Sequence, residues 1–198
     1  MNKSKTDSFG QNIENFLRDS LYEIKGWEFI AGAKDGEVEN YEFIENRFNC
    51  QYIEPGYDEY GILHGHRLLF EDAIFIMPDM LFKSKRDFYF WVESKASGND
   101  SYSTIDVEVY KIRQYIEIQK RTTPVWIVFS IVNESKKTCK VFSVRLKDIE
   151  KEISKISDNE ETSTINASYI KNHKYYKCAV YRFNTKGNIF NFLYELNY

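Results

Sequence analysis

Residues 124–132, PVWIVFSIV, form a continuous apolar run, and this run constrains the fold more than any other stretch. A strand that is apolar on both sides has to be covered on both faces, as the central strands of α/β sheets are. The run follows a stretch with apolar residues four, three and four positions apart, typical of a helix with one buried face: Ile105, Val109, Ile112 and Ile116. A helix leading into such a strand is a right-handed crossover, so the strand is expected beside the strand that carries residues 93–95.

Two short apolar runs come before that helix, and each ends in charged residues. Residues 74–77 lead into Asp79, and residues 88–92 lead into Glu93. Both runs are rich in aromatic and β-branched residues, so both are predicted to be strands. They are predicted to pair as a hairpin through a basic turn, with Asp79 on one strand and Glu93 near the end of the other. Pro78, which has no N–H to donate, suits a strand edge or a bend.

The charged residues at the two strand ends have a chemical use. Side chains alternate along a strand, so Glu93 and Lys95 point to the same face. Two carboxylates that share a site, here Asp79 and Glu93, bind a hard divalent cation such as Mg²⁺ together with waters and a substrate phosphate. Such a cation lowers the pKa of a bound water and neutralises charge on a phosphodiester. A lysine beside it orients the water or stabilises the charge that develops.

The string Pro78-Asp79, thirteen residues, then Glu93-x-Lys95 resembles the PD-(D/E)XK nuclease superfamily. That resemblance implies a restriction-endonuclease-like α/β core, with a mixed central sheet flanked by helices and an inserted β-rich segment. It also implies a DNA endonuclease that depends on Mg²⁺, with Mn²⁺ as a substitute. Asp79 and Glu93 would hold the metal, the Ser94 carbonyl would be a further ligand, and Lys95 would position the attacking water.

The resemblance extends to a helix predicted over residues 8–25. Its apolar residues repeat at three and four positions and form one stripe: Phe9, Ile13, Phe16, Leu17, Leu21 and Ile24. The pattern Gly10-x-x-x-Glu14, closed by Gly26, is similar to the first helix of many superfamily members, where a helical glutamate often completes the metal site. Glu14 is therefore the candidate third carboxylate, with Glu23 as the alternative. A solvated helix glutamate is the other interpretation.

Five further side chains are candidates for contact with nucleic acid: His64, His66, Tyr110, Lys111 and Gln114. The two histidines have no cysteine or third histidine nearby, so they suit a phosphate contact or a plain loop better than a zinc site. The other three lie on the predicted helix after Glu-x-Lys. In the superfamily that helix often offers Gln, Tyr or Lys to the site or to the phosphate backbone. The order Tyr-x-x-x-Gln reverses the order typical of the exonuclease branch.

Residues 35–65, which we call the acidic segment, are predicted to be a β-rich insertion in the nuclease core. Between residues 35 and 59, eight side chains are acidic and only Arg47 is basic. Short strands are expected at residues 41–44 and 50–53. The segment is expected at the edge of the sheet, where it would shape substrate choice, hold a partner or repel DNA.

The remaining chain is expected to alternate between strands and helices. A strand is predicted at residues 138–146 and a helix from there to residue 156. A polar loop is expected at 157–166, a strand at 175–183 and a short closing helix at 187–196.

Composition bounds these expectations. The chain has 198 residues, of which 42% are hydrophobic and 17% aromatic, and this suits one folded domain over residues 1–198. The net charge of −3 does not indicate a basic nucleic-acid binder. However, residues 1–100 hold 11 basic and 19 acidic side chains, whereas residues 101–198 hold 16 and 11. An acidic half with metal ligands and a more basic half near phosphates suits a nuclease, although ordinary scatter of surface charge gives the same numbers.

Location is constrained by what the sequence lacks. No apolar stretch approaches the length of a membrane span, and residues 1–8 lack the apolar core of a signal peptide. The three cysteines are isolated, which argues against a disulfide framework and a zinc knuckle. A cytoplasmic protein without a membrane partner is therefore expected, and a homodimer is left open.

Two other functions are compatible with the same residues. A catalytically silent nuclease-fold module would bind nucleic acid or a protein partner without cleaving it. An RNA-cleaving enzyme would use the same scaffold and the same carboxylates. The intact set of Asp79, Glu93 and Lys95 favours an active enzyme, with DNA as the expected substrate.

Overall fold

The structure is a computed structural model that describes residues 5–34, 37–59, 61, 63–97, 104–133, 135–156, 170–172, 177–184 and 191–197. Within these residues the helices are α1 (Lys5–Lys25), α2 (Tyr41–Phe48), α3 (Val109–Arg121) and α4 (Leu146–Ile153). The strands are β1 (Glu28–Lys34), β2 (Glu37–Glu39), β3 (Gln51–Ile53), β4 (Gly56–Tyr57), β5 (Leu63–His64), β6 (Arg67–Leu69), β7 (Ile74–Ile76), β8 (Met80–Lys83), β9 (Tyr89–Ser97), β10 (Thr104–Glu108), β11 (Val125–Asn133), β12 (Thr138–Arg145), β13 (Ile170–Asn172), β14 (Lys177–Asn184) and β15 (Asn191–Asn197). The chain is a mixed α/β protein, as predicted.

The largest sheet is mixed, and its described strands follow the order β15-β12-β11-β9-β8-β1-β2. Strand β11 lies next to β9, which confirms the position predicted from the crossover. The smaller sheets have the orders β10-β14-β13, β3-β6-β7 and β4-β5. The chain divides into two compact units: Met1–Glu93 with Glu117–Val125, and Ser94–Ile116 with Trp126–Tyr198.

Helix α1 of the first unit confirms the predicted first helix. Leu17 and Leu21, one turn apart, are fully buried. The helix ends where Gly26 adopts a φ of 63°, a left-handed conformation that glycine tolerates best. There the Gly26 N–H donates to the Tyr22 carbonyl at 2.8 Å and the Trp27 N–H donates to the Leu21 carbonyl at 3.2 Å. These two bonds satisfy carbonyls that a helix end otherwise leaves without partners.

Strands β1, β8 and β9 run antiparallel side by side in the first unit. Phe90 stacks on Phe82 with ring centres 6.1 Å apart and meets the edge of Trp27 at 4.8 Å. Trp91, which alternates to the other face, is fully buried, and its Nε1–H donates to the Thr122 hydroxyl at 3.0 Å. Aromatic packing therefore holds the β8–β9 hairpin from both faces.

The first strand of that hairpin is not the predicted one. Residues 74–77 do contain a strand, β7, but β7 pairs with β6 in a small sheet. The partner of β9 is β8, which begins only at Met80. The physical reason is Pro78, which lacks a donor for a continuous ladder, so the chain bends at Pro78-Asp79 and changes sheet there.

Residues 41–44, predicted as a strand, lie in helix α2, so that prediction is wrong. Phe43 stacks on Tyr89 with ring centres 5.8 Å apart, and Phe48 packs against Trp91 at the same distance. Both rings thus cover strand β9. The aromatic content of the segment, which also favours strands, concealed the helical spacing of these two residues.

The second unit contains β11, β12 and β15 as antiparallel neighbours, and β14 paired with β10 and β13. Phe129 on β11 packs on Phe183 of β14 with ring centres 4.9 Å apart. Helix α4 buries one stripe of three side chains: Leu146, Ile149 and Ile153.

The closing helix predicted over residues 187–196 is wrong. Residues Asn191–Asn197 form β15, which pairs with β12 from Thr138 opposite Asn197 onwards. Its apolar side chains two apart, such as Tyr194 and Leu196, match strand periodicity, and β12 supplies the backbone partners. The polar loop predicted at 157–166 lies outside the described residues.

Candidate active site

Asp79 and Glu93 flank the end of the β8–β9 hairpin. The ladder ends with Met80 opposite Val92, so Asp79 is the residue before this pair on one strand and Glu93 is the residue after it on the other. Glu93 is 3% exposed, and Asp79 is half-buried at the bend before β8. That the two carboxylates share one face and one cation stays a prediction.

Strand β1 fixes the backbone of Asp79 from the other side. The Ala33 N–H donates to the Asp79 carbonyl at 2.7 Å. Beside it Gly32 has a φ of 133°, and a Cβ at that position would lie 2.4 Å from the Asp79 carbonyl oxygen. Only glycine permits this close approach without displacing the backbone. The site position of Asp79 is thus set by Gly32 as well as by the hairpin.

Lys95 lies two positions after Glu93 on β9 and is half-buried. In the second unit its charge acts on the carboxylate of Glu108, the last residue of β10. The same carboxylate forms an ion pair with Lys111, with Oε2 and Nζ 3.5 Å apart. Burial by itself would raise the pKa of Glu108, but Lys111, a backbone hydrogen bond and Lys95 together lower it below its ordinary value. The charges of two predicted site residues, Lys95 and Lys111, thus act on one carboxylate, and Lys111 pairs with it directly.

Glu14, the predicted third metal ligand, is half-buried on α1. It lies one turn before Arg18, whose guanidinium carbon is 5.2 Å from the ring centre of Phe29 on β1. Glu23, the alternative, is exposed. Among the residues that the structure describes, no group of three or more His, Cys, Asp and Glu side chains could hold a metal ion. Asp79, Glu93 and Glu14 therefore all stay predicted ligands.

Tyr110 and Gln114, predicted to contact nucleic acid, are half-buried on α3. The ammonium of Lys111 lies 6.0 Å from the ring centre of Tyr110, at the outer limit of a cation–π contact. All three side chains stay candidates, and Lys111 is the one that the structure links to Lys95.

His64, in the acidic segment, and His66, just after it, make separate contacts. His64 Nε2 lies 2.9 Å from Asp58 Oδ2, and His66 Nδ1 lies 2.7 Å from the Tyr52 hydroxyl. Burial lowers the pKa of His66, so its imidazole is mostly neutral at pH 7. A neutral ring gives a phosphate no opposing charge. A phosphate contact from His66 would therefore rely on hydrogen bonding alone.

The described cysteine thiols do not suit catalysis or metal binding. Burial, with a smaller contribution from Glu45, raises the pKa of Cys50 to about 11. Burial likewise raises the pKa of Cys139 to about 11. The thiolate is the form that attacks or coordinates. At neutral pH both side chains are protonated, so the carboxylates remain the candidate ligands.

Comparison with models of protein families, with curated proteins and with solved structures gives no match. The functional argument therefore depends on this chain's own residues. None of the described helices is long and apolar enough to cross a membrane.

Sequence reasoning missed two residues that shape the site, Gly32 and Glu108. An isolated glycine within a strand pattern is a known sign of close backbone approach, and Gly32 follows that pattern. Glu108 lies three positions before Lys111, a spacing that permits an ion pair on one helical turn. The electrostatic effect of Lys95 on Glu108 could be found only from the structure, because the two residues lie on different strands.

Proposed function

We propose that the chain is a Mg²⁺-dependent DNA endonuclease that hydrolyses phosphodiester bonds with a metal-activated water. The β8–β9 hairpin supports this proposal, because its ladder ends with Met80 opposite Val92, next to Asp79 on one strand and Glu93 on the other, and Lys95 lies two positions further along β9. The order α1, β8–β9, α3, β11 also supports it. This is the order that the superfamily resemblance implies: a helix, the site hairpin, a helix and a buried strand.

The donor set suits Mg²⁺ chemically. Carboxylate oxygens are the ligands that Mg²⁺ prefers, and one or two of them suffice because the ion usually keeps several waters and takes substrate phosphate oxygens. Mn²⁺ accepts the same donors. When bound, such an ion lowers the pKa of a coordinated water and neutralises charge on the phosphodiester.

Each residue then has its own task. Glu93 is nearly fully buried, so its attraction for a cation is screened less than that of a surface carboxylate. The backbone of Asp79 is held in place by the hydrogen bond from Ala33 and by the close packing of Gly32. Lys95 offers three N–H donors, which orient the water or stabilise the charge that grows on the phosphate.

A nuclease assay tests the proposal directly. Labelled duplex, branched and single-stranded DNA, and matching RNA, are incubated with Mg²⁺, Mn²⁺ or EDTA. We expect DNA cleavage with either metal and none with EDTA. Cleavage of RNA alone would reassign the substrate. Binding of nucleic acid or of a protein partner without any cleavage would favour the catalytically silent module instead.

The variant Lys95→Ala separates chemistry from binding. We expect the cleavage rate to fall on the order of 10²–10³-fold, as when one transition-state donor is removed. Mn²⁺ binding, measured by calorimetry, should stay close to that of the parent, because the lysine acts mainly in the transition state. Asp79→Asn should weaken both cleavage and Mn²⁺ binding.

The control is Lys140→Ala, at a lysine whose side chain is 51% exposed and lies 4.0 Å from Glu195. It should cleave like the parent. If Lys95→Ala also cleaves at the parent rate, the ammonium has no catalytic role.

A further inference from the structure

Glu108 lies at a junction that fixes its position. It is the last residue of β10, and α3 begins at the next residue. Strand β10 is held to β14 by a two-bond ion pair, in which Arg182 Nε and an NH2 nitrogen lie 2.8 and 3.1 Å from the Asp106 oxygens. Glu108 itself pairs with Val180, which is 1% exposed. Its backbone therefore has little freedom to move.

The carboxylate of Glu108 is set among cations rather than in open water. Its side chain is 21% exposed, and that of Lys111 is 30% exposed. Lys111 lies within ion-pair distance at 3.5 Å, and the charge of Lys95 acts on the same group. One partly buried carboxylate thus has the Lys111 ammonium of α3 within ion-pair distance and also lies in the electrostatic field of the Lys95 ammonium of β9.

We propose that Glu108 is a positioning residue whose carboxylate holds the ammonium groups of Lys95 and Lys111 in their working places. The inference rests on the proposed function, because Lys95 has a chemical task only there. The ammonium of a lysine stands at the end of a flexible four-carbon chain, so without a partner it samples many positions. A rigid carboxylate beside it reduces that freedom, and a preorganised donor needs no reorganisation when charge develops.

The variant Glu108→Gln tests this in the full chain, because it removes the charge and keeps the shape. We expect kcat to fall roughly 10- to 100-fold, the scale of a misplaced catalytic group, with KM nearly unchanged. Glu108→Asp, which keeps the charge, should recover part of the loss. A KM that rises with kcat unchanged would overturn the proposal, since Glu108 would then affect binding instead of positioning.

The matched control is Glu117→Gln. Glu117 lies on the same helix α3 and pairs with the lysine three positions later, Lys120, at 2.8 Å. The spacing is the same as that from Glu108 to Lys111, but Lys95 is not involved. This variant should keep the parent kcat and KM. If it loses as much as Glu108→Gln, the effect is a general one of helix charge and the proposal is wrong.

A double-mutant cycle tests the link to Lys95. In the Lys95→Ala background, Glu108→Gln should cause little further loss, because the group it positions is already gone. A full additional loss would show that Glu108 acts through something other than Lys95, and would overturn the proposal.

A readout without catalysis distinguishes failure of this inference from failure of the proposed function. The rates at which Lys95 and Lys111 react with an amine-specific acylating reagent at one fixed pH are measured by peptide mass spectrometry. Both rates should rise several-fold in Glu108→Gln and stay at the parent value in Glu117→Gln, whether or not the protein cleaves DNA. Unchanged rates in Glu108→Gln would overturn the positioning role by themselves.

Discussion

The β8–β9 hairpin and the acidic segment position their polar side chains by different means. In the hairpin, Asp79 and Glu93 depend on a backbone register that continues into β1 and on rings buried on both faces. In the acidic segment, His64 lies on a strand of two residues, and His66 follows just before the three-residue strand β6. Single side-chain bonds join His64 to Asp58 and His66 to Tyr52.

The difference teaches which changes each region tolerates. A side chain on a continuous ladder keeps its place when one polar contact is lost, because the strands around it are held by many bonds. Two-stranded pairs of this length are marginal by themselves. The acidic segment should therefore respond to single hydrogen bonds and to pH, whereas the hairpin should respond mainly to lost packing and to backbone strain.

The largest expected effect is that of Trp91→Ala. Trp91 is fully buried in the hairpin, so its removal should lower the free energy of unfolding by about 3–5 kcal/mol. Urea unfolding followed by circular dichroism measures this. The matched change in the acidic segment is Tyr57→Ala, at a ring that is 75% exposed, and it should change stability by less than about 0.5 kcal/mol. Equal losses would remove the contrast between the two regions.

The next effect in size is that of Gly32→Ala. The new Cβ would meet the Asp79 carbonyl at 2.4 Å in a backbone conformation that L-residues avoid. We expect a loss of about 1–3 kcal/mol in unfolding free energy and weaker Mn²⁺ binding in calorimetry, because Asp79 is displaced.

Gly56→Ala is the control for that change. Nothing lies within 4 Å of a Cβ at Gly56 in β4 of the acidic segment. This variant should be neutral, or stabilising by about 0.4–1 kcal/mol through reduced freedom of the unfolded chain. Normal metal binding and stability in Gly32→Ala would mean that β1 does not position Asp79.

A smaller effect is expected from Tyr52→Phe in the acidic segment. The change removes the hydroxyl that lies 2.7 Å from His66 Nδ1 and should lower the free energy of unfolding by about 0.5–1.5 kcal/mol. Tyr41→Phe, whose ring stacks on Tyr52 at 5.3 Å, is the control and should have no comparable effect. Amide exchange at β3 and β6 would show whether the loss is local to the acidic segment.

The smallest effect is a pH dependence at His66. Its pKa is lowered on folding, chiefly by burial. Its contribution to stability is therefore complete above the pKa that it has in the unfolded chain, about 6.5, and is lost as pH falls through the lowered value in the folded protein. Between pH 8 and pH 5, His66→Gln should lose less thermal stability than the parent. An identical decline in both proteins would exclude His66 as the cause.

Periodicity and strand endings were enough to predict α1, β11 and the part of α3 from Val109 onwards. These features depend on local spacing. Ile105, which was predicted in the same helix as Val109, lies in strand β10 instead. The partner of residues 74–77 could not be predicted in the same way, because an apolar run indicates a strand and not which strand it pairs with. The structure pairs β7 with β6 in another sheet, and the strand that pairs with β9 begins only after the bend at Pro78-Asp79.

The contacts of Glu108 could not be predicted for a related reason. The charge of Lys95, thirteen residues earlier on another strand, acts on Glu108. No local sequence pattern links residues on two different strands. Helix α2 was hidden because aromatic residues at helical spacing, Phe43 and Phe48, also suit a strand. In both cases the local sequence pattern allows more than one structure, and tertiary packing selects the one that forms.

Strand β2 has a consequence for how copies of this protein behave in concentrated solution. It is only three residues long, Glu-Val-Glu, and within the described residues it forms one border of the largest sheet. A border strand offers backbone groups onto which a strand of another molecule can add, and shortness and charge both discourage this. Two such borders would bring four glutamates together. Their mutual repulsion should work against self-association through this border.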